Sequence, residues 1–354
     1  MIRVGIIGAG GNTISAHLPK LIEQSGVEVV SVANRTVASG EKVAKKFNIN
    51  KVYDDWQNII TDDEVDAVCI GTWPYMHSTI TVEALEEGKH VLTEARMAMN
   101  SEEAELMHNI SKSYPDLVTQ IVPAPHTLPY DNTIKQWVTE EMGDLILFDV
   151  RSSTGEFINY EREMHWRENR DLSGNNIMHM GIFYEAGMRW LGTASSVMAT
   201  SNVNVKKRIS PNTGQISEIS IPDHLEAIGE MSIGGNFHIS HSTVLGGAEK
   251  LEIFIYGTNS TLKITEDINC TTPQSYNTLK LKLETLNKGA NKWKILKPKK
   301  INVGKWRVEE EFIQAIKGKE KITHTTFSDG VKYMQFTDAL KMSSESNKKV
   351  FLPF

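Results

Sequence analysis

The stretch Ile2-Arg3-Val4-Gly5-Ile6-Ile7-Gly8-Ala9-Gly10-Gly11-Asn12-Thr13, with its continuation Val27-Glu28-Val29-Val30-Ser31-Val32-Ala33-Asn34-Arg35, decides the reading of the fold. An apolar, β-branched run enters a glycine cluster, a helix-like segment continues through Leu21, and a second β-branched run begins at Val27. The order is strand, tight turn, helix, strand. Gly8 and Gly10 stand where the chain must turn sharply and bring backbone N–H groups toward an anion at a helix N-terminus, as a dinucleotide pyrophosphate requires. Gly11, Asn12 and Thr13 complete the turn; Thr13, in place of a third glycine, either sets the first helix further from the strand or starts it one residue later, or offers its hydroxyl to a phosphate. Asn34 and Arg35 end the second strand and are expected to face the adenosine ribose. An acidic residue there would accept the ribose hydroxyls. A neutral amide followed by a cation suits the 2'-phosphate of NADP, with NAD as the other option.

The strand and helix rhythm continues outward from that stretch. Thr36 is placed to cap a helix through Val43 to Phe47, and Asp66 to Ile70 reads as a buried parallel strand. A loop, Gly71-Thr72-Trp73-Pro74-Tyr75-Met76-His77, hands over to an Ala/Leu/Glu-rich helix ending at Gly88. His90 to Leu92 gives another strand, Asn100 or Ser101 caps the next helix, and Val118 to Val122 closes the series. The alternation predicts an N-terminal doubly wound parallel sheet with helices on both faces, residues 1–124. After Pro125 the grammar changes. A helix from about Leu128 to Glu141, a strand from Leu145 and a helix from about Gly181 to Leu191 precede alternating β-type runs between Val197 and Leu296. These predict a C-terminal α/β domain, 125–354, with a large, mostly antiparallel open sheet. Two helices, Trp306 to Ile316 and Ser328 to Ser343, close the chain, and the terminal one is a candidate to pack back on the first domain.

Composition narrows the function classes. At 354 residues two domains are the default. A net charge of -6 without a long basic run argues against nucleic acid as a partner. No apolar run approaches the roughly 20 residues that span a bilayer. Cys69 and Cys270 form no disulfide framework, and the scattered histidines show no zinc-ligand spacing, so no metal is expected. The expected location is the cytoplasm.

The chain resembles the Gfo/Idh/MocA family of NAD(P)-dependent oxidoreductases over nearly its whole length. The resemblance rests on Gly8-Ala9-Gly10-Gly11, the Thr72 to His77 loop, Glu87-Gly88-Lys89-His90-Val91-Leu92-Thr93-Glu94, the Gly181 helix ending Arg189-Trp190-Leu191-Gly192, and Asp329-Gly330. It implies a Rossmann domain that holds the cofactor, with Thr72, Trp73, Pro74, His77 and Glu94 joining the glycine turn. It also implies a second domain for substrate and for assembly into a homodimer or homotetramer, and chemistry on sugars, sugar acids or cyclic polyols. The family's Glu-Lys-Pro reads Glu94-Ala95-Arg96 here, and its Asp-x-Gly-x-His helix motif reads His179-Met180-Gly181-Ile182-Phe183.

All three members of the usual acid-base set are therefore replaced. Arg96 stays charged at any working pH and can clamp an anion but not shuttle a proton. His179 stands where the family aspartate would stand and titrates near neutrality, which makes it the leading proton-transfer candidate, followed by Tyr184. His126, His165, Arg167, Asn176 and Glu185 are candidates for contact with a hydroxylated substrate. Each has a bland alternative in core packing or loop hydrogen bonding. Two further activities accompany the resemblance: transient redox assistance to glycoside cleavage or elimination, and a cofactor-binding sensor without turnover.

Overall fold

The computed structural model describes residues 1–176, 178–266, 280–299 and 304–354, with residues 178–180 described by their backbone alone. The chain divides into two compact units, one made of Met1–Pro123 with Arg307–Met334 and the other of Ala124–Trp306 with Gln335–Phe354. Arg307–Met334 thus belongs to the first unit although it follows the second in the chain.

The first unit carries strands β1 (Ile2–Ile7), β2 (Val27–Ala33), β3 (Lys51–Tyr53), β4 (Ala67–Ile70), β5 (His90–Thr93) and β6 (Thr119–Ile121). All pair in parallel, in the order β3-β2-β1-β4-β5-β6, with β1 at the centre beside β2 and β4. Strand order reverses at β1, so the loops after β1 and β4 form the switch point at which such sheets bind ligands. Val4, Ile6, Val68, Ile70 and Leu92 are buried, as expected of strands covered on both faces.

Local signals explain the helix ends. Thr36 Oγ1 accepts from Ser39 N–H at the start of Val37–Phe47, and Asn100 Oδ1 accepts from Glu103 N–H at the start of Ser101–Ser113. In the returning segment the helix Phe327–Ser346 begins close against β6. A Cβ on Gly330 would lie 2.3 Å from Met97 Sδ and 2.4 Å from Ile121 Cδ1, so any larger residue there would push those side chains aside.

The second unit is built on a nine-stranded sheet. Its strands are β7 (Leu145–Ser153), β8 (Ala194–Asn202), β11 (His224–Met231), β12 (Asn236–Ser242), β13 (Leu251–Gly257), β14 (Ser260–Glu266), β15 (Leu281–Asn287), β16 (Lys294–Ile295) and β17 (Val350–Phe351). Two short strands, β9 (Lys207–Ile209) and β10 (Ile216–Glu218), form a separate hairpin. The order is β16-β15-β14-β13-β7-β12-β11-β8-β17, antiparallel except for β7 beside β12. Phe148, Val150, Phe237, Ile239, Ile253 and Leu262 face the core with the helices Asp131–Glu140 and Met178–Leu191. Gly187 lets the second of these helices close on the sheet, because a Cβ there would meet the Phe148 ring at 2.6 Å. Among the described residues no helix is long and apolar enough to cross a membrane.

Candidate dinucleotide site

Gly8 ends β1 in the left-handed region, φ +86°, and a Cβ on it would come within 2.7 Å of Thr72 Cγ2 and the Thr72 backbone nitrogen. No other residue fits without displacing the loop after β4. Gly10 and Gly11 are different. A Cβ on Gly10 would meet only Gly71 O, at 4.0 Å, and one on Gly11 would meet nothing within 4 Å. Space is therefore open where helical backbone begins, at the end that has N–H groups unpaired by the helix itself. Thr72 Oγ1, packed beside Gly8, is buried and has no hydrogen-bond partner among the described residues. An open glycine turn at a helix start and an orphaned hydroxyl next to it fit a dinucleotide phosphate bridge.

Other expected cofactor residues fall around this turn. Asn34 Oδ1 accepts from Ala9 N–H at 2.6 Å. The other end of its side chain is then an NH2 donor, where an aspartate would carry a second oxygen. Arg35 follows, exposed. Trp73 is half-buried and extended, and Pro74 is buried at the head of the turn Pro74–Met76. His77 is buried, with Nδ1 2.8 Å from Arg96 O and Nε2 3.1 Å from Thr72 O, so it braces the loops after β4 and β5. Burial holds its pKa below the ordinary imidazole value. The Thr13 hydroxyl is buried and donates to Gly8 O at 3.2 Å, which stiffens the turn.

Beneath the turn lies a cluster that the sequence did not announce. Helical backbone passes through a π turn, Thr13–His17, before the α-helix Leu18–Ile22. The π turn ends on His17, which is fully buried. Its Nδ1 lies 2.6 Å from Glu309 Oε1 and its Nε2 2.9 Å from Glu94 Oε1. Glu94 Oε1 also accepts from Asn12 Nδ2, and Glu94 Oε2 accepts from Ala95 N–H at 3.1 Å. Burial opposes charge on the imidazole, but its hydrogen bonds to Glu309 and Glu94 outweigh it, and the His17 pKa is raised to about 9. Burial likewise opposes charge on Glu94, and the imidazolium and Asn12 reverse that effect, so its pKa is lowered. His17 and Glu309 are 292 positions apart, and no local spacing relates them.

Arg96 is buried, with Nη2 3.7 Å from Met334 Sδ and its guanidinium 5.7 Å from the centre of the Tyr333 ring. It packs against the returning segment. Cys69 is buried in β4, where burial pushes its thiol well above the ordinary value, so it is not a ready nucleophile. Cys270 lies outside the described residues.

In the second unit the expected acid-base and substrate residues separate. The side chain of His179 lies outside the described residues, although its backbone belongs to the helix Met178–Leu191. The Tyr184 ring is buried and stacked on Phe336 at 3.6 Å, and its hydroxyl accepts from Ala194 N–H at 3.0 Å. Burial drives its pKa upward, and the phenol serves the core. The buried Glu185 carboxylate accepts from Ala124 N–H at 3.1 Å and pairs with Arg189 at 3.1 Å, while Arg189 reaches Asp131 at 2.8 Å. The result is an ion cluster that ties the helix to the segment before Asp131.

His165 is exposed and caps the turn Trp166–Glu168, accepting from Arg167 N–H at 3.3 Å. Burial and the neighbouring Arg167 push its pKa down. Arg167 lies over the Trp166 ring at 4.3 Å. His126 is half-buried, its ring 6.1 Å from that of Phe183. Asn176 is buried, and its Oδ1 has no hydrogen-bond partner among the described residues, so it retains an available acceptor.

The chain is 24% identical over 280 residues to an uncharacterized oxidoreductase of Synechocystis sp., covering 75% of this chain and 72% of the relative. It is 24% identical over 234 residues to the glucose-6-phosphate 3-dehydrogenase of Bacillus subtilis, covering 65% of each. An NAD-binding oxidoreductase from Klebsiella pneumoniae superposes with a TM-score of 0.82 at 20% identity, covering 100% of this chain and 99% of that one. A levoglucosan dehydrogenase solved with NADH and levoglucosan superposes with a TM-score of 0.82 at 17% identity, covering 100% of both. Residues 2–120 match the oxidoreductase family's NAD-binding Rossmann fold and residues 135–352 its C-terminal alpha/beta domain, so the chain belongs to the Gfo/Idh/MocA oxidoreductase family.

Proposed function

We propose that this oxidoreductase is NADP(H)-dependent and interconverts a carbinol and a carbonyl on a sugar, sugar acid or cyclic polyol. The observation that carries the reading is the pairing of the open Gly10-Gly11 turn with the Asn34-Arg35 strand end, an amide donor followed by an exposed cation. The turn holds the phosphate bridge, and Asn34 and Arg35 meet the 2'-phosphate. A bound nicotinamide supplies hydride acceptance and donation at its C4. His179 takes or returns the hydroxyl proton. Its place in the helix motif and the neutral range of imidazole support that role. Arg96 contributes fixed positive charge without exchanging a proton. We place the protein in the cytoplasm, as a homodimer or homotetramer, and the exposed Ile146, Met198 and Ile228 on strands β7, β8 and β11 of one sheet support assembly.

The test is turnover followed by the near-ultraviolet absorbance of NADPH across a panel of sugars, sugar acids and cyclic polyols. At least one substrate reduces NADP+ faster than NAD+, and Arg35→Ser lowers NADPH affinity about tenfold while leaving NADH unchanged. Silence across the panel with NADPH bound tightly supports instead a cofactor-binding sensor, a reading favoured by the burial of Tyr184 and Glu185 in the core.

A further inference from the structure

We infer that His17 is a positioning residue of the dinucleotide site: clamped between Glu309 and Glu94, it fixes Glu94 against Asn12 and so sets how the lip of the glycine turn receives the nucleotide. The inference rests on the reading of that turn as an NADP(H) site. His17 does not reach the lip itself. It acts through Glu94, whose Oε1 it shares with Asn12 Nδ2, one residue beyond Gly11.

The geometry requires a protonated ring. Both His17 nitrogens face carboxylate oxygens, at 2.6 and 2.9 Å, and only an imidazolium donates from both. A neutral ring would turn one lone pair toward a carboxylate, and the clamp between Glu309 and Glu94 would lose one of its two hydrogen bonds. The other groups around the cluster do not replace that charge. Lys20, on the helix after the π turn, feels Glu309. Cys69, from β4, is neutral and feels both Glu94 and Glu309. His77, from the loop after β4, feels Glu94 but is kept toward its neutral form by burial. Protonation of His17 and nucleotide binding are therefore coupled, and the coupling is reciprocal.

The experiment is titration calorimetry of NADPH into the wild type, His17→Gln and Glu309→Gln, between about pH 7.5 and about 10, in buffer pairs of different ionisation heat. Wild-type affinity stays level to about pH 8 and weakens about tenfold by about pH 10, with proton uptake on binding near pH 9. His17→Gln binds about tenfold more weakly at the low end, with no alkaline limb and no proton uptake near that pH. Should His17→Gln fail to fold, Glu309→Gln decides, since it keeps the shape and removes a charge, moving the alkaline limb to lower pH. A flat wild-type profile without proton uptake, or variants that reproduce the wild-type profile, overturns the role of His17 while NADP(H) binding stands. A wild type that binds neither NADPH nor NADH overturns the cofactor reading and this inference with it.

Discussion

Each unit buries an ion cluster, and the two clusters differ in their cation. In the second unit Arg189 joins Glu185 and Asp131, with Trp190 Nε1 donating to Asp131 at 2.7 Å. In the first, His17 joins Glu94 and Glu309. A guanidinium keeps its charge at every accessible pH, so the Arg189 cluster acts as a permanent fastener. An imidazolium can be lost, so the His17 cluster responds to pH. Their reach differs too. The Arg189 cluster ends on backbone groups and a tryptophan, whereas the His17 cluster continues through Glu94 to Asn12 at the glycine turn. Position in the chain does not reveal this difference, since a sequence motif brackets Glu185 and Arg189 while Glu309 lies near the far end.

The largest expected effect comes from removing the permanent cation. Arg189→Met leaves Asp131 and Glu185 buried without it, and the second unit is destabilised by about 3–5 kcal/mol, read as a shift in the urea midpoint. Next is the pH dependence of the first unit. The folded His17 pKa, about 9, lies above the ordinary 6.5, so its stabilisation is complete below about pH 6.5 and is lost as pH rises through about 9. The loss is on the order of 3 kcal/mol, visible as a falling urea midpoint across that window, absent in His17→Gln and unaffected by Arg189→Met.

A smaller effect tests the turn alone. Gly8→Ala imposes a left-handed strain and a contact at 2.7 Å, lowers stability by about 2 kcal/mol and weakens NADPH binding at least about tenfold, both measurable by thermal shift with and without nucleotide. The smallest is Tyr184→Phe. It removes one acceptor from Ala194 N–H, costs about 1 kcal/mol in the urea midpoint, and leaves the pH profile of turnover in place. A turnover loss far beyond that stability change would restore Tyr184 to the proton path.

Much of the architecture was legible because it rests on local physics. Period-two and continuous apolar runs mark the strands, Thr36 and Asn100 mark helix starts through their side-chain caps, and Gly8 marks a turn that demands a left-handed residue. The candidate site was legible only in part. Residues of the glycine turn were readable from their spacing, but the partners of Thr13, Tyr184 and Glu185 were not, because polar type and motif position do not report burial. Each is occupied: Thr13 with Gly8 O, Tyr184 with Ala194 N–H, Glu185 with Ala124 and Arg189.

By itself, the order of residues determined the parallel first sheet, the glycine turn and the amide-cation pair at Asn34-Arg35, since strand pattern, turn conformation and nearest-neighbour chemistry all act within a few residues. Only tertiary structure decided which polar groups stay open and which are consumed, and it alone brought Glu309 to His17 across 292 positions. The reason is physical: burial and the pairing of charges depend on neighbours in space, and a buried imidazole becomes an imidazolium only when the fold places a carboxylate on each side of it.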